Sequence, residues 1–281
     1  MRMSSQCIRW VATGFLAAVV VVWGTLQVPA QDTPSPSLTI EQKEEFLRTA
    51  RITAEKSVNK GITDTQRVTL SDGKVTHDAS VQHINVYKNV FQARDGTAEY
   101  NFKDTYKFNV AAWKLACLLG IDDMMPPYVE RKFKGYGASF SWWIEDVMMD
   151  EEDRHKKNVQ VPDPDPWNQE MYVVRVFDQL IFNTDRNLTN LLIDKNWHIW
   201  MIDHSRAFRT RHDLQNVKNL VQCDRNLLAK MKALDEPTLK KELSPFVDSQ
   251  EIKALLARRD LIVKFFESQG EGVLYDRQKR S

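Results

Sequence analysis

Cysteine is scarce in this chain of 281 residues: Cys7, Cys117 and Cys223 are the whole supply. That excludes a disulfide-built scaffold and a zinc knuckle, both of which need paired cysteines at defined spacings. Cys7 sits in the N-terminal segment, and Cys117 and Cys223, with no framework around them, are expected as free thiols, with a disulfide between them as the alternative in an exported chain. Histidine offers no metal site either, since His198, His204 and His212 have no ligand-type partner three or four residues on. Neither charge is in excess: 39 Lys+Arg against 38 Asp+Glu leave a formal +1. A chain so balanced lacks the basic surface that nucleic-acid binding requires, so no nucleic-acid partner is expected. There is no G-x-S-x-G, which leaves serine-hydrolase chemistry without support, and no internal repeat. After the N-terminal segment no apolar run reaches membrane-spanning length.

What is present begins with that segment. Arg2 and Arg9 precede an apolar run from Trp10 to Leu26, and Val28-Pro29-Ala30 forms a small-x-small pattern before Gln31. The pattern predicts a secretory signal peptide over residues 1–30, cleaved after Ala30, with an uncleaved anchor as the alternative. Both place the remainder outside the cytoplasm, periplasmic or extracellular, and touch the membrane only through that anchor.

The 42% hydrophobic content is enough to build a core. Residues 31–64 read as a proline-bearing linker and then a helix from the Thr39/Gln42 capping box to about Lys56. Residues 65–147 carry strand signals: Val68–Leu70 before a turn at Ser71–Lys74, Val81–Tyr87, Tyr128–Phe133 and Ser139–Ile144. One helix interrupts them, from Tyr106 to Leu119, with Gly120 as its stop. Residues 148–270 are mainly helical after a surface loop at 150–166, and 271–281 form a basic tail. Strands first and helices last predict an α+β fold, a small sheet lobe before a helical lobe.

The segment that carries chemistry is FDQLIFNTDRNLTNLLIDKNWHIWMIDHSRAF, residues 177–208. An apolar helix ends in a polar loop holding Asp185, Arg186 and Asn190; two apolar strands turn at Lys195-Asn196, and Asp203 stands at their exit. Phosphoryl transfer needs a carboxylate to orient the attacking hydroxyl, another to hold a divalent metal on the phosphates, and an oxygen donor to complete the metal's shell. An Asp and an Asn five apart on a loop, with a second Asp returned by a hairpin, can meet at one point.

Asp185-Arg186-Asn187-Leu188-Thr189-Asn190 resembles the DRHxxN catalytic loop of phosphatidylinositol kinases and bacterial HipA-like kinases, and Ile202-Asp203-His204 resembles their metal-binding element. Asn187 stands where the loop usually has His. The resemblance implies a two-lobed protein-kinase-like fold and an ATP-dependent phosphotransferase. It makes Asp185 the catalytic base, Arg186 the residue that structures the loop, and Asn190 and Asp203 the ligands of Mg²⁺, with Mn²⁺ equally suited to such oxygens. It also calls for a strand lysine on the phosphates and a helix glutamate to hold it. Lys88 is the candidate lysine; Asn109 falls where the glutamate belongs, with Asp104 or Glu99 as a substitute. A glycine-rich phosphate loop is missing, and only Ser71–Lys74 stands at the first hairpin. The stretch Ser141–Val147 falls at the hinge between lobes, where the backbone near Glu145 and Val147 would meet the adenine. Three readings stay open: an active kinase whose phosphate acceptor, a protein or a small molecule, the sequence does not name; a kinase-like module that binds nucleotide or a partner without turnover; and an interaction module with no nucleotide.

Overall fold

The computed structural model describes residues 38–56, 65–92, 96 and 98–279. The expected signal segment 1–30 and the linker to residue 37 lie outside the described residues. Thr39 caps α1 (Ile40–Thr49), and both bonds of the expected capping box form. The helix does not reach Lys56. It stops at Thr49, and Arg51–Lys56 is a strand, β1, paired antiparallel with β2 (Gln66–Ser71). Ile52 and Thr53 are β-branched and favour the strand; Ile52 pairs with Leu70, and the register shifts at Thr53 before Ala54 pairs with Thr69.

The Asp72 carboxylate accepts from the amides of Lys74 and Val75, turning β2 into β3 (Thr76–Gln82). The strand expected over Val81–Tyr87 is in fact two strand ends. β3 stops at Gln82, and among the described residues β4 (Asn85–Gln92) pairs only with β5 (Ala98–Thr105) in a separate ribbon. The break falls where the Ile84 carbonyl accepts from the Tyr106 amide at 2.8 Å, which draws the chain off the sheet toward α2 (Tyr106–Leu119). Gly120, at φ 70°, ends α2 in the left-handed region that glycine tolerates.

β6 (Tyr128–Phe133) and β7 (Tyr136–Trp142) complete a five-stranded sheet in the order β1-β2-β3-β7-β6. Period-two alternation sends Val68, Leu70, Ala79, Val81 and Phe140 to one face, where Phe46 and Leu47 of α1 cover them and close a small core. The other face carries Ser80 opposite Ser141 and Gln82 opposite Ser139. Gly137 of β7 lies against Tyr106, so close that a Cβ there would stand 2.1 Å from the tyrosine oxygen.

β8 (Val147–Asp150) leads to α3 (Glu151–Lys156), in a stretch expected as loop. The charge run is sorted for a helix: Asp150 caps it, Glu151, Glu152 and Asp153 fill the first turn, and Arg154, His155 and Lys156 fill the last. α4 (Pro164–Ile181) follows, then β9 (Leu191–Asp194) and β10 (Ile199–Met201), whose sheet β8 joins in the order β10-β9-β8. The short β11 (Cys223–Asp224), α5 (Arg225–Ala233), α6 (Glu236–Leu243), α7 (Ser249–Gln269) and β12 (Leu274–Tyr275) complete the chain. The larger core joins α2 to α4, α5, α6 and α7, so α2 is buried on almost every side between sheet and helices.

Buried His198 is engaged on both ring nitrogens: it meets Glu170 at 3.0 Å and lies against the Asp123 carbonyl. Arg277, read as part of a basic tail, is held by the Asp123 carboxylate at 2.6 and 2.8 Å. Cys117 and Cys223 are free thiols. No described helix is long and apolar enough to cross a membrane. The architecture is mixed α+β, an N-terminal sheet followed by a helical region.

Candidate active site

Val173, Val174, Phe177, Leu180 and Ile181 bury one side of α4, and the helix ends when Phe182 turns to φ 49°. Phe208, at φ 56°, donates its amide to the Ile181 carbonyl at 2.6 Å. Two aromatic residues in the left-handed region cost energy that only firm surroundings sustain. Between them lies the expected catalytic loop.

Arg186 organises that loop. Its guanidinium donates to both carboxylate oxygens of Asp178 (2.9 and 3.1 Å), to the carbonyls of Asn190 (3.0 Å) and Ile202 (2.8 Å), and to His204 Nε2 at 2.8 Å. One side chain thus fixes the end of α4, the Asp185–Asn190 loop and the exit of the β9–β10 hairpin together. Burial, and then the Arg186 charge, push the His204 imidazole well below its ordinary range, so it is neutral and accepts from Arg186. The sequence alone assigns no role to His204 or Asp178; the one available signal is Asp178 standing eight residues before Arg186.

Asp185, Asn190 and Asp203 converge on a cavity of about 960 Å³. The sheet supplies its roof through Ser80, Gln82, Ser139 and Ser141, and Leu192 with Ile202 forms an apolar floor. Glu145 and Val147, the expected hinge residues, line the same cavity together with Trp143 and Ile144. The volume suits a ligand of drug or nucleotide size.

Asp203 is half-buried and sits at φ 53°, another strained backbone. Burial raises its carboxyl above the usual range; hydrogen bonds from Ser205 oppose the rise, and the charges of Asp104 and Asp185 add to it. A carboxylate so surrounded favours a cation. No group of three or more His, Cys, Asp or Glu side chains that could hold a metal exists among the described residues. Asp203 and the Asn190 side-chain amide are two hard oxygen donors, of the kind a divalent cation such as magnesium takes. The Asn190 amide nitrogen is turned to the Asp185 carbonyl at 3.4 Å, which leaves its oxygen as the amide atom that could meet a cation.

The nucleotide side departs from expectation. Lys88 lies on β4, exposed, opposite Phe102 of the two-stranded ribbon and over the Phe91 ring, and it does not line the cavity. The break after Gln82 is what carries it away. Asn109 is fully buried, and its amide nitrogen donates to Gln82 Oε1 at 2.5 Å while its oxygen accepts from the His204 amide at 2.7 Å. The strand residue that meets the helix residue is therefore Gln82, and the pair is neutral. Asp104 does not hold a lysine. It is buried at the end of β5 and binds Arg206 Nε at 2.7 Å. Arg206 lines the cavity and comes within 3.6 Å of Asp185.

No protein-family model and no curated protein matches the chain. Among solved structures the chain is similar to a Helicobacter pylori proinflammatory kinase, CtkA, at 10% identity and a TM-score of 0.48, over 77% of this chain and 92% of that one.

Proposed function

We propose that the chain is an ATP- and divalent-metal-dependent phosphotransferase that moves a γ-phosphoryl group to a hydroxyl on a protein or small molecule. The observation that carries this reading is that Asp185, Asn190 and Asp203 line one cavity that the Ile144–Val147 segment also lines. In this reading the base lies against Ile144 and Val147, and its edge meets the backbone of Glu145 to Val147. Asp203 and the Asn190 amide oxygen would hold Mg²⁺, which would supply charge stabilisation on the phosphates. Asp185 accepts the proton of the acceptor hydroxyl as that oxygen attacks the γ-phosphorus and ADP leaves with the electron pair of the broken bond. Arg186 acts through the loop and is a positioning residue. Export across a membrane, with residues 1–30 as the signal, belongs to the same proposal.

A second reading, nucleotide binding without transfer, is favoured by one observation: Gln82 and Asn109 supply no charge where a kinase-like site places an ion pair. Incubating the full chain with γ-labelled ATP and Mg²⁺ separates the two. Release or transfer of label by the native chain, reduced at least about 100-fold in Asp185→Asn, supports the enzyme. Nucleotide binding with no turnover in either protein supports the second reading, and equal turnover in both contradicts the role given to Asp185.

A further inference from the structure

A triphosphate carries several negative charges into its site, and the protein must meet them with more than a metal. A strand lysine held by a helix glutamate is the usual device. Here its place is taken by Gln82 and Asn109, whose hydrogen bond is closed and neutral, and the Asn109 oxygen is committed to the His204 amide. Lys88 is outside the cavity.

Two cations line the cavity among the described residues, Arg67 and Arg206. Arg67 is engaged elsewhere: its guanidinium meets Asp78 at 2.5 Å and stacks over Trp143 at 4.1 Å. Arg206 is placed differently. It stands three residues after Asp203, on the wall that also carries Asp185. Asp104 braces it from behind through Nε at 2.7 Å, and the Phe102 ring lies beneath it at 5.6 Å. Asp104 is 2% exposed, and its second oxygen is buried with no hydrogen-bond partner among the described residues. A buried carboxylate that spends one oxygen on a guanidinium serves that guanidinium, much as the helix glutamate serves the strand lysine. The backbone of Arg206 is fixed as well, since its carbonyl accepts from the Thr184 hydroxyl at 3.1 Å.

We propose that Arg206 is the phosphate-gripping cation of this cavity, contacting the β- and γ-phosphates of a nucleoside triphosphate, and that Asp104 is the residue that positions it. The ion pair is thereby moved from the sheet and α2 to the Asp203 loop and the end of β5. The chemistry of the side chain suits phosphate. With Nε on Asp104, the fork's only other carboxylate neighbour among the described residues is Asp185, 3.6 Å from one Nη and beyond hydrogen-bond reach, so the planar, permanently charged guanidinium can still turn both Nη groups to phosphate oxygens, a bidentate contact that an ammonium does not make. This inference rests on the nucleotide reading above, and it explains how a site with a neutral Gln82–Asn109 pair can still hold a triphosphate.

The test compares ligands that differ only in phosphate. Affinities of the full chain for adenosine, ADP and ATP, each with Mg²⁺, are measured by calorimetry for the native protein, Arg206→Gln, Arg206→Lys and Asp104→Asn. The expected result is that Arg206→Gln binds adenosine as the native chain does and ATP about 10- to 100-fold more weakly, the loss of a charge-assisted contact. Arg206→Lys should recover part of that loss. Asp104→Asn should weaken ATP and not adenosine, and should add nothing in the Arg206→Gln background, a coupling that a merely structural role would not produce. Unchanged ATP affinity in Arg206→Gln overturns the inference and leaves the nucleotide reading standing. An equal fall for adenosine and ATP overturns it too, because the effect would not be on phosphate. If Arg206→Gln does not fold, Arg206→Lys carries the comparison: a full native preference for ATP over adenosine in that variant overturns the bidentate role. Absence of any binding by the native chain overturns both readings.

Discussion

Replacing Arg186 by methionine should separate three pieces of chain with one change. The side chain is 12% exposed and its partner Asp178 11%, so this is a buried pair. Removing one partner of such a pair strands the other charge and costs about 3–5 kcal/mol. Two features place this case at the lower end, near ~3 kcal/mol. Asn183 still donates to Asp178 at 3.1 Å, and the Asn190 carbonyl still accepts from the Ile202 amide at 3.1 Å. In a domain of this size that corresponds to a fall in Tm of roughly 6–12 °C, at about 2–4 °C per kcal/mol. Urea unfolding with matched thermal scans measures it. Arg186→Lys should lose about 1–2 kcal/mol, because it keeps the charge and not the fork. Adding Asp178→Asn to Arg186→Met should recover at least ~1 kcal/mol, since the stranded carboxylate disappears. An Arg186→Met protein within about 0.5 kcal/mol of native stability, a change typical of an ordinary surface substitution, would refute the reasoning.

Three further outcomes are expected. Burial alone would raise the Asp78 carboxyl, but hydrogen bonds from Lys56, Thr69 and Arg67 bring it down to about 2. A depressed carboxyl stabilises the fold above its ordinary value near 3.8 and loses that contribution as pH falls toward 2. Asp78→Asn should therefore cost about 1–2 kcal/mol at pH 7, allowing for the half-exposed Lys56, with a gap that closes between about pH 4 and pH 2 in urea titrations. For Asp203 the sign is opposite: its raised carboxyl favours the fold most at low pH, and that contribution is lost as pH rises through the raised value. Asp203→Asn should thus raise the unfolding midpoint of the metal-free protein at pH 7 while removing any stabilisation by Mg²⁺ with ATP; a lower midpoint would contradict the electrostatic account of the site. Lys88→Ala should leave ATP affinity within about twofold of native, because the lysine lies on the exposed ribbon; a tenfold loss, about 1.4 kcal/mol, would return it to the site.

The helix–loop–hairpin of residues 177–208 is legible in the sequence because its parts are local. A 3.6-residue apolar stripe on α4, a polar loop and two short apolar strands each follow their own period, and the order of these pieces leaves little freedom in where Asp185, Asn190 and Asp203 meet. The Arg186 role follows from the resemblance, and the structure adds the hydrogen bonds of its guanidinium. What fails depends on pairing across the chain. Nothing between Thr49 and Lys56 says that the helix yields to a strand, because the competitor is β2, about ten or more residues on. Val81–Tyr87 reads as one strand, and the chain leaves the sheet where Ile84 bonds Tyr106; that division moves Lys88 out of the site and leaves Gln82 facing Asn109. Arg206 gives a weak signal, a lone arginine after an Asp, since its meaning comes from Asp104 on a different strand. The charge run at α3 is legible in principle, its acids first and bases last, but its charge density alone suggests a loop.

The central claim is that Asp203 helps hold a metal on a nucleotide in this cavity, and calorimetry of the full chain with ATP tests it directly. The account predicts binding that appears with Mg²⁺ or Mn²⁺, weakens sharply without them and is lost in Asp203→Ala. No binding by the native chain with any divalent metal, or binding that Asp203→Ala leaves intact, would contradict it.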